Sequence, residues 1–239
     1  MTDCADDSSR SLKAVKLIVF DLDGTLIDAF QDITNAVNHM LQSMDRPPLP
    51  LETVKRHVGH GVRELAARLL GTHEACVIDA SLPLLVEYYK RHPHVNARVY
   101  DGVVPTLGWL RARGIKMAVA SNKLDTLTRK ILAAMGLAPL FDAIYGESQE
   151  FARKPDPAVL RHIMGEFRAA PDETVVVGDT DIDIEFARGA GARVVTVTYG
   201  QLTGEQLRAH KPDYIINSFT ELIPLFNPDG VLADRNSCP

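Results

Sequence analysis

Cysteine is scarce in this chain, which has only three among its 239 residues: Cys4, Cys76 and Cys238. An odd number of cysteines at such wide spacing predicts neither a disulfide framework nor a cysteine-based metal site. This usage is typical of a reducing compartment, so we expect a cytoplasmic protein.

Positive charge is also in short supply, with 26 Lys and Arg against 31 Asp and Glu and a net charge of −5. Because no basic stripe is available to neutralise phosphates, we expect no nucleic-acid partner. No apolar run approaches the roughly 18–20 residues that a membrane span needs, and the polar, acidic first residues are not typical of a signal peptide. We therefore expect no membrane partner. An anionic substrate would need local positive charge from a metal, a lysine or backbone N–H groups.

Short apolar runs predict the strands of an α/β fold. Most are continuous rather than alternating, as is typical of parallel strands covered by helices on both faces. Helical patterns separate most of them, which predicts a doubly wound, Rossmann-like parallel sheet. The predicted strands are 16–20, 115–120, 143–145, 174–178, 193–198 and 213–216, and the predicted helices between them are about 103–113, 124–135, 157–167 and 183–190.

The stretch between the first two strands is different, because it shows helical periodicity only. An all-helical insertion at this place predicts a small cap over the carboxyl edge of the sheet. Asp28 is expected to begin its first helix as the N-cap, with Gln31 completing a capping box. The predicted organisation is an α/β catalytic core at 14–27 and 97–227, a helical cap at 28–96, and flexible ends at 1–13 and 228–239.

Polar residues suited to phosphate and metal chemistry follow the ends of the predicted strands. Ligands of an open parallel sheet bind beyond the carboxyl ends of its strands, so these residues are expected to converge on one crevice. Carboxylates, a hydroxyl and an ammonium suit a hard cation and a phosphoryl group. They are Asp21 and Asp23, then Ser121 with Asn122, then Lys154 in Lys-Pro-Asp-Pro, and finally Asp179 and Asp183.

The pair Asp21 and Asp23 can divide the work of phosphoryl transfer, since Gly24 permits a bend that turns both carboxylates to the crevice. One carboxylate can attack phosphorus while the other protonates the leaving oxygen and later takes a proton from water. Asp179 adds a third charge for a cation such as Mg²⁺, which prefers about six oxygen ligands. The Ser121 hydroxyl and the Lys154 ammonium can hold phosphoryl oxygens.

Four strings of this sequence, in order, resemble the motifs of the haloacid dehalogenase superfamily of phosphatases. They are Phe-Asp-Leu-Asp-Gly-Thr-Leu-Ile-Asp at 20–28, Ser-Asn at 121–122, Lys-Pro-Asp-Pro at 154–157 and Gly-Asp-Thr-Asp-Ile-Asp at 178–183. With the strands between them, the resemblance covers nearly the whole chain.

This resemblance implies a role for each matching residue. Asp21 would be the nucleophile that forms an aspartyl-phosphate, and Asp23 the general acid and base. Ser121 and Lys154 would hold the phosphoryl group. The carboxylates of Asp21 and Asp179 and the backbone carbonyl of Asp23 would bind Mg²⁺, with Asp183 supporting the site. Dehalogenase members lack an aspartate at the position of Asp23, so the resemblance favours a phosphatase or phosphomutase.

Within the cap, the string Val-Gly-His-Gly-Val-Arg-Glu-Leu at 58–65 resembles the substrate loop of the phosphoglycolate phosphatase branch. The resemblance implies phosphoglycolate as the leading substrate and implies that the loop contacts it. For His60 and Arg63, ordinary cap surface is the alternative. Tyr-Asp-Gly-Val at 100–103 departs from the Tyr-Pro-Gly-Val of that branch. The predicted substrate contacts are Gly59, His60, Gly61, Arg63 and Asn122.

Two other functions remain open at this point. A phosphosugar mutase of the same superfamily would use a sugar hydroxyl instead of water as the acceptor. A non-catalytic protein that binds phosphorylated metabolites would not need to retain nucleophile, acid, metal carboxylate and lysine together, and this chain has all four. The partner is a small phosphorylated metabolite in each case, and monomer and homodimer are both open. For Asp183, a first-turn carboxylate favoured by the helix dipole is the alternative.

Overall fold

The structure is a computed structural model that describes residues 12–226. Most of the predicted flexible ends, 1–13 and 228–239, lies outside these residues. The described part of the first end is ordered into a short 3₁₀-helix, Leu12–Ala14, whose leucine is only 1% exposed. The core therefore begins slightly earlier than predicted.

A six-stranded sheet, parallel throughout, forms the body of the molecule and confirms the predicted α/β fold. Its spatial order is β5-β4-β1-β6-β7-β8. The strands are β1 (Leu17–Phe20), β4 (Lys116–Leu124), β5 (Ala143–Glu147), β6 (Thr174–Gly178), β7 (Arg193–Val197) and β8 (Tyr214–Ile216).

The register of the central strands brings the predicted motifs to one edge. Phe20 at the end of β1 pairs with Val119 of β4 on one side and with Val177 of β6 on the other. The residues that follow these three positions therefore lie at nearly the same level of the sheet. Asp21 continues the pairing, since its N–H donates to the Val177 carbonyl at 2.9 Å.

Helices cover both faces of the sheet, as the continuous apolar strands predict. The helices of the core are α5 (Val103–Ala112), α6 (Asp125–Ala134), α7 (Ala158–Phe167), α8 (Asp181–Ala190), α9 (Gly204–Ala209) and α10 (Leu222–Phe226). On β1, Ile18 and Phe20 belong to a cluster with α5, α6 and α10, while Leu17 and Val19 belong to a cluster with α7, α8 and α9. The last two of these helices, α9 and α10, are short and were not predicted.

The stretch from 29 to 97 holds four helices: α1 (Phe30–Ser43), α2 (Leu51–Lys55), α3 (Val62–Leu70) and α4 (Ala75–Arg91). We call these four helices and the loops between them the cap. No single described helix is long and apolar enough to span a bilayer. The pair α3 and α4 meets such a length and composition only jointly, across a 115° bend.

Two short strands, β2 (Ile27–Asp28) and β3 (Arg98–Val99), pair antiparallel where the chain enters and leaves the cap. The predicted capping box is wrong because Asp28 belongs to β2 and its carboxylate pairs with Arg98. The N-cap of α1 is Ala29, without a side-chain cap, and Gln31 donates to Asn35 instead.

Asp32, in the first turn of α1, joins the segment where the chain enters the cap to the segment where it leaves the cap. Its buried carboxylate accepts the backbone N–H groups of Asn96 and Ala97 and the Asn96 side-chain amide, at 2.7–3.0 Å. The cap is thereby held close to the carboxyl edge of the sheet.

Candidate active site

A cavity that is partly open to solvent lies between the carboxyl edge of the sheet and the cap. The core residues that the four motifs predicted all line it: Asp21, Asp23, Ser121, Asn122, Lys154, Asp179 and Asp183. The sheet register explains this convergence for three strands: Asp21 and Asp23 follow β1, Ser121 and Asn122 lie in the last part of β4, and Asp179 follows β6. Lys154 comes from the loop after β5, and Asp183 from the first turn of α8.

Lys154 lies at the centre of these groups. Its ammonium donates to Asp21 Oδ1 at 2.7 Å and to Asp183 Oδ1 at 2.8 Å, and its side chain is 4% exposed. Burial alone lowers the pKa of the Lys154 ammonium, but the carboxylates of Asp183 and Asp21 outweigh burial and raise it. Lys154 is therefore a fixed positive charge.

Asp21 lines the cavity, and its second carboxylate oxygen, Oδ2, has no hydrogen bond among residues 12–226. Lys154 holds its Oδ1, while burial raises the pKa of the group to about 6 against the opposing effect of Lys154. Nearby Asp183 and Asp23 carboxylates raise the pKa further. A carboxylate that is desolvated and positioned by one lysine is well placed to attack phosphorus.

Asp179 is completely buried and has no cation bonded to it among the described residues. Its Oδ2 accepts the Gln201 N–H at 2.6 Å, and its Oδ1 accepts the Thr25 hydroxyl at 3.3 Å. Burial, with the Asp183 and Asp21 carboxylates, raises its pKa well above the ordinary value. A buried carboxylate without a paired cation is costly, so this position favours a bound positive ion.

The side chain of Asp179 fits beside β1 because the neighbouring residue, Gly24, has no Cβ. Gly24 has φ +91°, in the left-handed region, and a Cβ there would overlap the Asp179 carboxylate. Gly24 thus allows both the bend after Asp23 and the close approach of the Asp179 carboxylate.

Three carboxylates fit a metal ion. Oxygens of Asp21, Asp179 and Asp183 lie within 4.8 Å of one another, and oxygen is the ligand that hard divalent cations prefer. Asp183 is the most heavily engaged of the three. Its Oδ1 meets Lys154, and its Oδ2 accepts the Asp179 and Thr180 N–H groups and the Thr180 hydroxyl at 2.9–3.2 Å. Asp183 therefore shapes the loop that carries Asp179.

Asn122 lies in the site but its amide is already used. Its Oδ1 accepts the Lys154 N–H, and its Nδ2 donates to the carbonyls of Lys154 and Gly59, each at 2.8 Å. The amide therefore positions the Lys154 backbone and the cap loop, and its direct contact with substrate remains a prediction. Ser121 and Asn122 also lie inside β4, which runs four residues further than predicted.

Sequence reasoning missed Lys123, the partner of Asp23. Its ammonium donates to both oxygens of Asp23, at 2.9 and 2.6 Å, and its side chain is 6% exposed. It also lies over the Tyr89 ring, 4.7 Å from the centroid. Burial lowers the pKa of Lys123, but the Asp23 carboxylate and Tyr89 reverse this and raise it. The spacing of Lys123 from Ser121 could have predicted its place. Residues two apart in a strand point to the same side, and Ser121 faces the site, so Lys123 was expected to face it too.

The cap loop contributes backbone rather than charge. Gly59 and Gly61 line the cavity, whereas neither His60 nor Arg63 does. Arg63 pairs with Asp79 at 2.5 Å on the exposed side of the cap. The arrangement therefore does not support the predicted substrate contacts of these two side chains, and cap surface describes Arg63.

His60 is held by its backbone. Its carbonyl accepts from Arg153 at 3.1 Å, and burial, followed by the nearby Arg68, lowers the pKa of its ring. The carbonyls of Gly59 and His60 thus both receive core side chains, Asn122 and Arg153. These two contacts fasten the cap loop to the core at the edge of the cavity.

The sequence model of the haloacid dehalogenase-like hydrolase family matches residues 18–197. Phosphoglycolate phosphatase 1 of Pseudomonas aeruginosa is 37% identical over 94% of this chain and 85% of its own length. The phosphoglycolate phosphatase of Nitrosospira multiformis is 33% identical over 88% of this chain and 95% of its own. Among solved structures, a predicted phosphoglycolate phosphatase from Haemophilus somnus superposes with a TM-score of 0.83, at 29% identity, over 89% of this chain and 98% of that one.

Proposed function

The chain belongs to the haloacid dehalogenase-like hydrolase family, and from that premise we propose that it hydrolyses phosphoglycolate with Mg²⁺ through an aspartyl-phosphate on Asp21. Phosphatase chemistry is the activity of the curated relatives, and their names give the substrate. The observation that carries the proposal is the joint position of Asp21, Asp23, Lys154 and Asp179 around one cavity.

The first half of the proposed reaction makes the covalent intermediate. The free oxygen of Asp21 attacks phosphorus, and the bond from phosphorus to the leaving oxygen breaks. Asp23 gives its proton to the departing alkoxide, which leaves as glycolate. Lys154 offsets charge on the phosphoryl oxygens, and the Ser121 hydroxyl is placed to donate to them.

The second half hydrolyses that intermediate. Asp23, now a carboxylate, takes a proton from water, and the water oxygen attacks phosphorus. The bond to Asp21 breaks, inorganic phosphate leaves and both aspartates return to their starting states. Lys123 holds the Asp23 carboxylate by both oxygens, so this base keeps one orientation.

Phosphatases of this family use a divalent metal, and the acidic cluster fits one. The carboxylates of Asp21 and Asp179 and the backbone carbonyl of Asp23 would hold Mg²⁺, with Asp183 supporting. The ion would neutralise phosphoryl charge in a site that otherwise repels an anion. The buried, unpaired carboxylate of Asp179 supports this assignment.

The lining of the cavity favours hydrolysis over mutase chemistry. A mutase must also hold a second phosphate, whose two negative charges need more than one cation besides the one at the reacting phosphoryl group. Among the described lining residues, the cationic side chains are Lys154, beside Asp21, and Lys123, beside Asp23, so Lys123 alone would be left for a second phosphate. The cap side of the cavity is mostly apolar, with Ile33, Val58, Val62, Leu65, Leu85 and Val86.

The test is phosphate release from a panel of small phosphorylated metabolites with Mg²⁺: phosphoglycolate, sugar phosphates, nucleotides and pyrophosphate. We expect the largest kcat/KM for phosphoglycolate. A different best substrate would keep the chemistry and discard this substrate. Saturable binding of sugar phosphates without release would favour the binding protein, and turnover that requires a bisphosphate activator would favour the mutase.

A further inference from the structure

Lys123 and Tyr89 lie together in the cavity, one from β4 of the core and one from α4 of the cap. We propose that the Lys123 ammonium and the Tyr89 hydroxyl form the subsite for a carboxylate on the leaving group. This inference rests on the proposed function and assigns its substrate specificity to two residues outside the family motifs.

The position of Asp23 shows which end of the cavity receives the leaving group. An acid that protonates the leaving oxygen must lie within hydrogen-bond distance of that oxygen. Lys123 binds both oxygens of Asp23 at 2.6–2.9 Å, so it adjoins the same end. In phosphoglycolate a single methylene separates the leaving oxygen from the carboxylate. That carboxylate must therefore lie within a few ångströms of Asp23, in the neighbourhood of Lys123.

The two lysines of the cavity adjoin different aspartates, Lys154 the proposed nucleophile Asp21 and Lys123 the proposed acid Asp23. Lys154 is bonded to Asp21 and Asp183, on the phosphoryl side. Lys123 is the other cation among the described residues that line the cavity. Arg63, the cap cation that sequence reasoning favoured, is paired with Asp79 away from the cavity. A leaving-group carboxylate thus meets positive charge at Lys123.

Both groups of the subsite have donors to spare. A lysine ammonium has three N–H donors, and Asp23 accepts two of those on Lys123. The Tyr89 hydroxyl is buried and makes no hydrogen bond of acceptable geometry within the described part of the chain. A buried hydroxyl without a partner is destabilising, and a ligand carboxylate would supply the acceptor it lacks.

The apolar cap side chains around Tyr89 restrict what else fits there. Leu85 and Val86 from the same helix and Leu65 from α3 also line the cavity. They offer no hydrogen bonds to the hydroxyl groups of a sugar. A small leaving group with one anionic end satisfies the donors and leaves little polar surface unpaired.

The experiment compares phosphoglycolate with ethyl phosphate, which has a methyl group where phosphoglycolate has the carboxylate. The measured quantity is the ratio of the two kcat/KM values, taken for wild type, Lys123→Met and Tyr89→Phe. Comparing ratios between variants cancels the intrinsic difference between the two esters. The matched controls are Tyr88→Phe on the same helix and Lys55→Met on α2, whose ammonium lies over Phe30 outside the cavity.

We expect the ratio to fall about tenfold or more in each subsite variant and to stay within about twofold of wild type in each control. Loss of activity on both esters in equal proportion in Lys123→Met, with an unchanged ratio in Tyr89→Phe, would overturn the inference and leave Lys123 as a partner of Asp23 alone. If Lys123→Met does not fold, the Tyr89→Phe ratio decides the question.

The same measurement separates this inference from the proposed function. A wild-type ratio near one would mean that phosphoglycolate is not the substrate, and the proposed function would fail with it. A large wild-type ratio that persists in both subsite variants would retain the proposed function and reject the subsite.

Discussion

The side-chain amide of Asn122 donates to the carbonyl of Gly59 at 2.8 Å and so joins the core to the cap loop. The same amide holds the backbone of Lys154 from both sides, through the N–H and the carbonyl. One side chain therefore positions both Lys154 and the cap loop at the edge of the cavity. A change at this residue should affect stability and turnover together.

Asn122→Ala should lower the free energy of unfolding by about 1–3 kcal/mol, because it leaves buried backbone groups of Lys154 unpaired. It should also lower kcat by about tenfold or more, since the Lys154 ammonium loses its fixed position. Urea denaturation and steady-state kinetics measure the two effects. The control is Asn35→Ala. Among the described residues, the side chain of Asn35 has one hydrogen bond, in which its Oδ1 accepts from Gln31 on the exposed side of α1. An Asn122→Ala enzyme with wild-type kcat would contradict the positioning role.

Gly24→Ala should damage the metal site more than its left-handed backbone alone explains. An added Cβ would overlap the Asp179 carboxylate, so this ligand must move. We expect a large increase in the Mg²⁺ concentration required for half-maximal activity, in addition to about 1–3 kcal/mol of destabilisation from backbone strain. Titration of activity with Mg²⁺ gives the first quantity and thermal denaturation the second.

Gly71→Ala is the matched control for that variant. Gly71 also has a left-handed φ, +67°, but a Cβ there meets nothing within 4 Å. It should show the backbone strain without any change in the Mg²⁺ requirement. Equal Mg²⁺ curves for the two variants would show that the closeness of Gly24 to Asp179 has no functional consequence.

Asp21→Asn should abolish turnover while the fold persists. An amide cannot form the aspartyl-phosphate, so kcat should fall by at least about a thousandfold. The substitution keeps the shape of the side chain and its contact with Lys154, so circular dichroism should be unchanged. The phosphorylated enzyme, trapped by acid quench, should be detectable in wild type and missing in the variant. A kcat of Asp21→Asn within about a hundredfold of wild type would exclude the covalent mechanism.

The convergence of the four motifs could be predicted because it depends on strand order and strand ends alone. Runs of apolar residues locate β1, β4 and β6, and the rule for open parallel sheets brings the residues after them to one crevice. The metal and phosphoryl roles of Asp21, Lys154 and Asp179 remain predictions, but their proximity is what the strand pattern indicates.

The contacts of the leaving-group side could not be predicted in the same way. Lys123 meets Asp23 across 100 residues of sequence, and Tyr89 meets Lys123 only because the cap folds over the sheet. Such contacts depend on how helices pack, which periodicity does not specify. Arg63 shows the same limit: its place in a glycine-rich loop indicated a substrate contact, but the turn of α3 directs it to Asp79. The strands β2 and β3 have two residues each, too few to show a period.

The acidic cluster predicts a pH dependence of stability that a metal ion should reverse. In the metal-free protein, burial raises the pKa of Asp21 from 3.8 to about 6 and raises that of Asp179 well above its ordinary value. At a pH between the unfolded-state pKa and the raised folded-state pKa, the folded protein retains protons that the unfolded chain has released. The stabilising contribution of the two groups is therefore complete below the unfolded pKa and is lost as pH rises through the folded one.

Mg²⁺ binds the deprotonated carboxylates, so its stabilising effect should grow over the same range of pH. After chelation, thermal denaturation with and without Mg²⁺ should give a larger increase in Tm at about pH 8 than at about pH 5. Asp179→Asn should lose most of this increase, because it removes a buried ligand. Asp101→Asn, an exposed residue outside the cavity, should keep it. An increase in Tm that is the same at both pH values would mean that the ion binds elsewhere, since only ligands that titrate in this range can couple its binding to pH.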